Sequence, residues 1–194
     1  MLDKVLSTLD GRRHQSEAAL KELLAIPSVS TKPEHASDVQ RCAAWVADQL
    51  KFAGFEVSIM PTGGHPAVVA KNKHQPNRPT VLMYGHYDVQ PVEPLDLWKT
   101  PPFEPTIRNG AIYARGAADD KGQVWCHIES LLAWQAHGGP PVNLTLLIEG
   151  EEEIGSPNLG PFVRQHKNAL KADIQGAPAR SEKAVRNLLS AHCS

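Results

Sequence analysis

The run TVLMYG at positions 80 to 85 constrains the fold most, because after Thr80 it carries no charged or amide side chain at either parity. Side chains alternate between the two faces of a strand. A strand without a polar face must therefore lie inside a sheet that is covered on both sides. The run VNLTLLIEG at positions 142 to 150 makes nearly the same demand. The surrounding segments supply the cover. Apolar residues recur at helical spacing over residues 5 to 24 and again over 37 to 52, separated by the turn-like IPSVSTKPEH. FEVSIM and HPAVVAKN read as strands around the break PTGG. PVEPLDLWKTPPFEP holds too many prolines for regular structure and reads as a surface loop. A short strand at AIYAR, a small-residue loop GAADDKG, a helix over 123 to 135 and a helix opening near Ser156 complete the chain. This order predicts an α/β fold, a sandwich of a mixed, mostly parallel sheet between helices.

Charge and composition narrow the function. Lys and Arg number 20 against 21 Asp and Glu, a net charge of -1, and no basic run interleaved with aromatics could track a phosphate backbone. No nucleic acid is expected as partner. The opening MLDKVLSTLDGRRHQ is charged where a signal peptide needs an apolar stretch, and no run reaches bilayer-spanning length. The expectation is a cytoplasmic protein with no membrane association. Cys42, Cys126 and Cys193 are odd in number and at no metal-like spacing, as for buried or free thiols in a reducing compartment.

Three polar clusters follow apolar segments by a few residues, at the strand ends where open α/β sheets gather ligands. His86 and Asp88 share one face of their strand, so Asp88 can accept a ring N–H and fix the tautomer of a metal-binding imidazole. Taken alone, His86 could equally be a core histidine bonded to a carbonyl. Asp119 and Asp120 could cap the helix that begins near Gly122. One of them could instead point into the crevice, where a carboxylate can bridge two cations. Residues 151 to 153 are three consecutive glutamates. They could complement a helix dipole, but three exceed that need and would repel one another unless cations neutralise them. Neither acidic cluster follows the alternating pattern of a calcium loop. Nitrogen and oxygen ligands together point to zinc, with manganese or cobalt as alternatives.

The segments MYGHYDVQPV, YARGAADDKG and LLIEGEEEIGS, in this order and spacing, resemble the three motifs of the co-catalytic zinc metallopeptidases and amidohydrolases. That family includes carnosinase-type dipeptidases, aminoacylases and succinyl-diaminopimelate desuccinylases. LWKTPPFEPTIRNGAIYARG is most similar to the dipeptidase branch, and the resemblance spans residues 10 to 174. It implies a zinc-exopeptidase catalytic domain in which His86 binds one Zn2+, Asp119 bridges two and Glu153 binds the other. It further implies that Asp88 orients His86, that Glu152 is the general base, and that the Asp119–Asp120 peptide is cis. The implied substrate is a small peptide or N-acyl amino acid.

The chain also departs from the family. Members continue after the ADI stretch into an apolar strand with a further aspartate ligand, then add a lid or dimerisation domain and a final histidine ligand. Here QGAPARSEKAVRNLLSAHCS follows, with no buried-strand pattern and no aspartate beyond Asp173. The expectation is an incomplete catalytic domain over residues 1 to 174 and a divergent tail over 175 to 194, without the family's usual homodimer interface. Each ion would keep two protein ligands where catalytic zinc usually has three. His192 in the tail is a weak substitute. A truncated, catalytically silent metal-binding or interaction domain is the alternative function.

Overall fold

The computed structural model describes residues 1–176. Cys193, His192 and all but the first two residues of the expected tail lie outside the described residues. Helix α1 (Leu2–Leu24) and helix α2 (Ala36–Phe52) precede strands β1 (Glu56–Met60), β2 (Ala67–Lys71) and β3 (Thr80–His86). A hairpin of β4 (Thr106–Arg108) and β5 (Ala111–Tyr113) leads to α3 (Lys121–Gln135) and strand β6 (Asn143–Glu149). Helices α4 (Leu159–Gln165) and α5 (Lys167–Leu170) and a short strand β7 (Ile174–Gly176) follow.

The five-stranded sheet runs β1-β2-β6-β3-β7. It is mixed, with β1, β2 and β6 antiparallel to their neighbours in that half and β6, β3 and β7 mutually parallel. Strand periodicity splits the core in two. Val68, Ala70, Leu144, Leu146 and Ile148 pack with the buried faces of α1, α2 and α3. Ala67, Val69, Leu82, Tyr84 and Leu147 pack with Leu159, Phe162 and Val163 of α4 and with Leu170 of α5. The sheet is thus covered on both faces, as the unbroken apolar runs require. The central strand β6 is buried at every position.

The short strand expected at AIYAR is present as β5, one arm of the separate two-stranded hairpin, while one sequence expectation shifts. A short strand begins on the isoleucine of the ADI stretch: Ile174, Gln175 and Gly176 pair in parallel with Val81, Leu82 and Met83. Pairing at a sheet edge needs only backbone groups, so it left no apolar signature, and Ile174 stays 55% exposed. Among the described residues no helix is long and apolar enough to cross a membrane. Cys42 is buried and Cys126 exposed, both as free thiols.

Candidate metal centre

His86 ends β3 and stands in register with Glu149, the last residue of β6, so both strand tips open at the same edge of the sheet. The imidazole is 1% exposed. Its Nδ1 lies 3.2 Å from the backbone carbonyl of Asp88 and 3.4 Å from Asp88 Oδ1. A carbonyl only accepts, so Nδ1 carries the hydrogen. The expected donation goes first to the backbone of Asp88 rather than to its carboxylate. Nε2 is left to face Asp119 Oδ1 at 3.2 Å and Glu152 Oε2 at 3.9 Å.

Asp88 is fully buried and does more than touch the histidine. Its Oδ1 accepts the Glu152 N–H at 3.2 Å, and its Oδ2 accepts the Glu153 N–H at 3.0 Å and the Ser30 hydroxyl at 2.6 Å. These bonds fix the tight turn Glu152–Ile154 that follows β6. Gln90 donates to Glu153 Oε2 at 2.7 Å and so aims that carboxylate. Partial burial raises the pKa of Glu153, with the Gln90 amide opposing the shift. His86, Glu152 and Glu153 each offer a ligand atom within 4.8 Å of the others.

Asp119 does not come from a strand tip. It sits in the loop between the β4–β5 hairpin and α3, joined to Asp120 by a cis peptide bond. Asp120 holds the position of helix cap but makes no side-chain cap bond; its Oδ2 instead accepts the His86 backbone N–H at 3.1 Å. Asp120 Oδ1 is buried with no hydrogen-bond partner among the described residues. Burial pushes the Asp120 pKa up to about 6, against the pull of His86. Of the three glutamates, Glu151 turns away to accept the His65 N–H at 3.1 Å and the Asn158 amide at 3.0 Å. It therefore serves the loop and not the centre.

Sequence reasoning missed Ser30, Gln90 and Glu149, and it left Asp120 between helix cap and crevice carboxylate. Glu149 is buried beneath the centre, where its Oε1 accepts Tyr84 Oη at 2.5 Å and Ser156 Oγ at 2.8 Å. Its place on the same face of β6 as Leu147 was the local signal; its register with His86 is set only by the sheet.

The donor set suits a divalent cation. Asp88, Asp119, Asp120, Glu152 and Glu153 surround one imidazole, while the nearby Lys121 ammonium turns to the carbonyls of Leu23 and Ile26. Burial disfavours a charged imidazole, yet Asp119 and Asp88 outweigh it and hold the His86 pKa up to about 11. The same negative surroundings favour a cation at this site. Two ligand atoms on one tetrahedral zinc stand ~3.4 Å apart. The 3.2 Å between His86 Nε2 and Asp119 Oδ1 is close to that spacing.

The profile of Peptidase family M20/M25/M40 matches residues 82–192. The cysteinylglycine-S-conjugate dipeptidase of Corynebacterium striatum is 35% identical over 157 residues, covering 80% of this chain and 34% of the relative. The Beta-Ala-His dipeptidase of Homo sapiens is 34% identical over 188 residues, covering 90% of this chain and 37% of the relative. The crystal structure of human carnosine dipeptidase 1 superposes with a TM-score of 0.85 at 33% identity, over 91% of this chain and 40% of that one. The chain spans a little over a third of the length of the curated relatives it matches.

Proposed function

Because the chain belongs to peptidase family M20/M25/M40, we propose that it hydrolyses the amide bond of dipeptides or N-acyl amino acids at a centre of two zinc ions. The observation that carries this reading is the convergence on one imidazole nitrogen: His86 Nε2 faces Asp119 and Glu152, with Glu153 in the same group. His86, Asp119 and Glu153 would hold the ions. Manganese and cobalt accept the same nitrogen and oxygen donors. Bound divalent cations would polarise the scissile carbonyl and lower the pKa of water at the site.

The chain's own groups do the rest. Glu152 is a quarter exposed at its side chain, so its carboxylate can meet both solvent and substrate. It takes a proton from the attacking water and passes it to the leaving amine, the work of a general acid and base. Asp88 supports this indirectly by holding the Glu152 and Glu153 backbone N–H groups and by facing Nδ1 of His86. Gln90 keeps Glu153 from swinging away.

Zinc per chain and hydrolysis of a dipeptide, measured for the native protein and for Glu152→Gln, test the reading. About two zinc ions are expected in both, with turnover in the variant reduced ~10^2- to 10^4-fold. Turnover that survives the substitution removes Glu152 as the base. Zinc without turnover in the native chain leaves a silent metal-binding domain, and absence of both sinks the hydrolase reading.

A further inference from the structure

Of the seven asparagines in the chain, only Asn109 is followed by glycine, and this Asn109–Gly110 pair forms the two-residue turn of the β4–β5 hairpin. Arg108 and Ala111 pair directly across it. Asn109 has a φ of 51° and Gly110 a φ of 76°, the two positive values of a type I′ turn, for which Asn-Gly is a preferred sequence. Both residues are exposed, and a Cβ placed on Gly110 would meet nothing within 4 Å. The peptide that joins them is open to solvent.

The side-chain amides of Asn72, Asn143 and Asn158 each donate to a backbone carbonyl or a carboxylate at 3.0 Å, which holds them in place. The Asn109 amide makes no hydrogen bond among the described residues. The Gly110 N–H likewise donates to no backbone carbonyl there. Strands β4 and β5 have three residues each and pair only with one another, so the turn at their tip lacks the support of the main sheet. An unbonded amide carbon therefore stands beside a backbone nitrogen that no side chain crowds, because glycine has no Cβ. These are the conditions for closing a five-membered ring.

We propose that Asn109 is a site of spontaneous deamidation, a covalent change in the hairpin that is independent of the hydrolase reading. Hydroxide takes the proton of the Gly110 N–H, and that nitrogen attacks Asn109 Cγ. The N–Cγ bond forms, the Cγ–Nδ2 bond breaks, and Nδ2 leaves as ammonia after taking a proton from water, which regenerates hydroxide. Water then opens the cyclic imide at either carbonyl, giving aspartate or isoaspartate. Both products place a carboxylate beside Arg108, whose guanidinium lies 4.0 Å from the centroid of the Tyr113 ring. Isoaspartate also adds a methylene to the backbone. A two-residue turn has no slack for the extra atom, so the pairing of Arg108 with Ala111 opens in that product.

The full chain, aged in mildly alkaline buffer and then digested, is compared by mass spectrometry with a zero-time sample treated alike. The peptide that carries Asn109 is expected to gain one mass unit at least about tenfold faster than any peptide carrying another asparagine, since only here does the next residue lack a side chain. Fragmentation should show isoaspartate beside aspartate, the mark of the cyclic imide. Gly110→Asp keeps a residue that tolerates positive φ but sets a Cβ beside the attacking nitrogen, and should slow the gain about tenfold. Amide exchange at Ala111 should rise at least about tenfold in the aged native chain. It should stay constant in aged Asn109→Gly, which keeps the turn and lacks the amide. A gain no faster than at other asparagines, aspartate as the sole product, an unslowed Gly110→Asp, or unchanged exchange at Ala111 in the aged native chain overturns the proposal.

Discussion

Asp88 Oδ2 accepts the backbone N–H of Glu153 at 3.0 Å, across 65 residues of chain. The same carboxylate takes the Glu152 N–H and the Ser30 hydroxyl, so one buried side chain joins the end of β3, the turn after β6 and the loop after α1. The position of the two glutamates is thus decided by an aspartate two residues beyond another strand.

Replacing Asp88 with Ala should leave three donors without their acceptor and cost ~2–4 kcal/mol of stability. Zinc affinity should fall at least about tenfold, because partners behind the ligands set their aim. Asp88→Asn keeps one acceptor oxygen and should recover stability more than affinity. Denaturant unfolding beside chelator competition measures both; an unchanged zinc affinity in Asp88→Ala would remove Asp88 from the support of the centre.

Zinc binding should be strongly pH dependent. The metal needs the Nε2 lone pair, and in the metal-free protein His86 keeps its proton up to about 11. Across the neutral range that proton must leave when a cation enters, so apparent affinity falls as pH falls, by about tenfold per pH unit for one proton released. Calorimetry between about pH 6 and pH 8 reads the slope directly. A flat profile is incompatible with a cation on that nitrogen.

Glu149 predicts a pH dependence of stability. Burial, opposed by the bonds from Tyr84 and Ser156, pushes its pKa from 4.5 up to about 7. The folded state therefore binds this proton more tightly than the unfolded chain does. Its contribution is full below 4.5 and is lost as pH rises through about 7. At ~1.4 kcal/mol per unit the loss is roughly 3 kcal/mol. Glu149→Gln cannot ionise and should show a flatter stability profile over that window in the metal-free protein. Parallel profiles for native and variant chains would contradict the shift.

Lys121 is fully buried, with Nζ donating to the carbonyls of Ile26 at 2.6 Å and Leu23 at 3.2 Å. It closes the carboxyl end of α1 against the loop that carries Asp119. Lys121→Met keeps the apolar stem but orphans both carbonyls, and should cost ~2–3 kcal/mol. A fall in melting temperature of about 5–10 °C is the expected reading for a chain of this size. An unshifted melting curve would show that water can replace the ammonium.

Much of this protein is written locally. The unbroken apolar runs at β3 and β6 required a sheet covered on both faces, and helical spacing located α1 and α2 to within a few residues. Strand alternation put His86 and Asp88 on one side before any coordinates were needed. What the sequence could not decide is which carboxylate meets which partner. Glu151, Glu152 and Glu153 are chemically identical neighbours, yet the first turns to His65 and Asn158 while the other two approach His86. Asp119 reaches the imidazole from a loop, and Asp120 gives its carboxylate to a strand instead of capping its own helix. Periodicity acts over a few residues, whereas these choices depend, apart from the nearby Asn158, on partners 33 to 86 positions away, which come within hydrogen-bonding reach only after the sheet and its helices have packed.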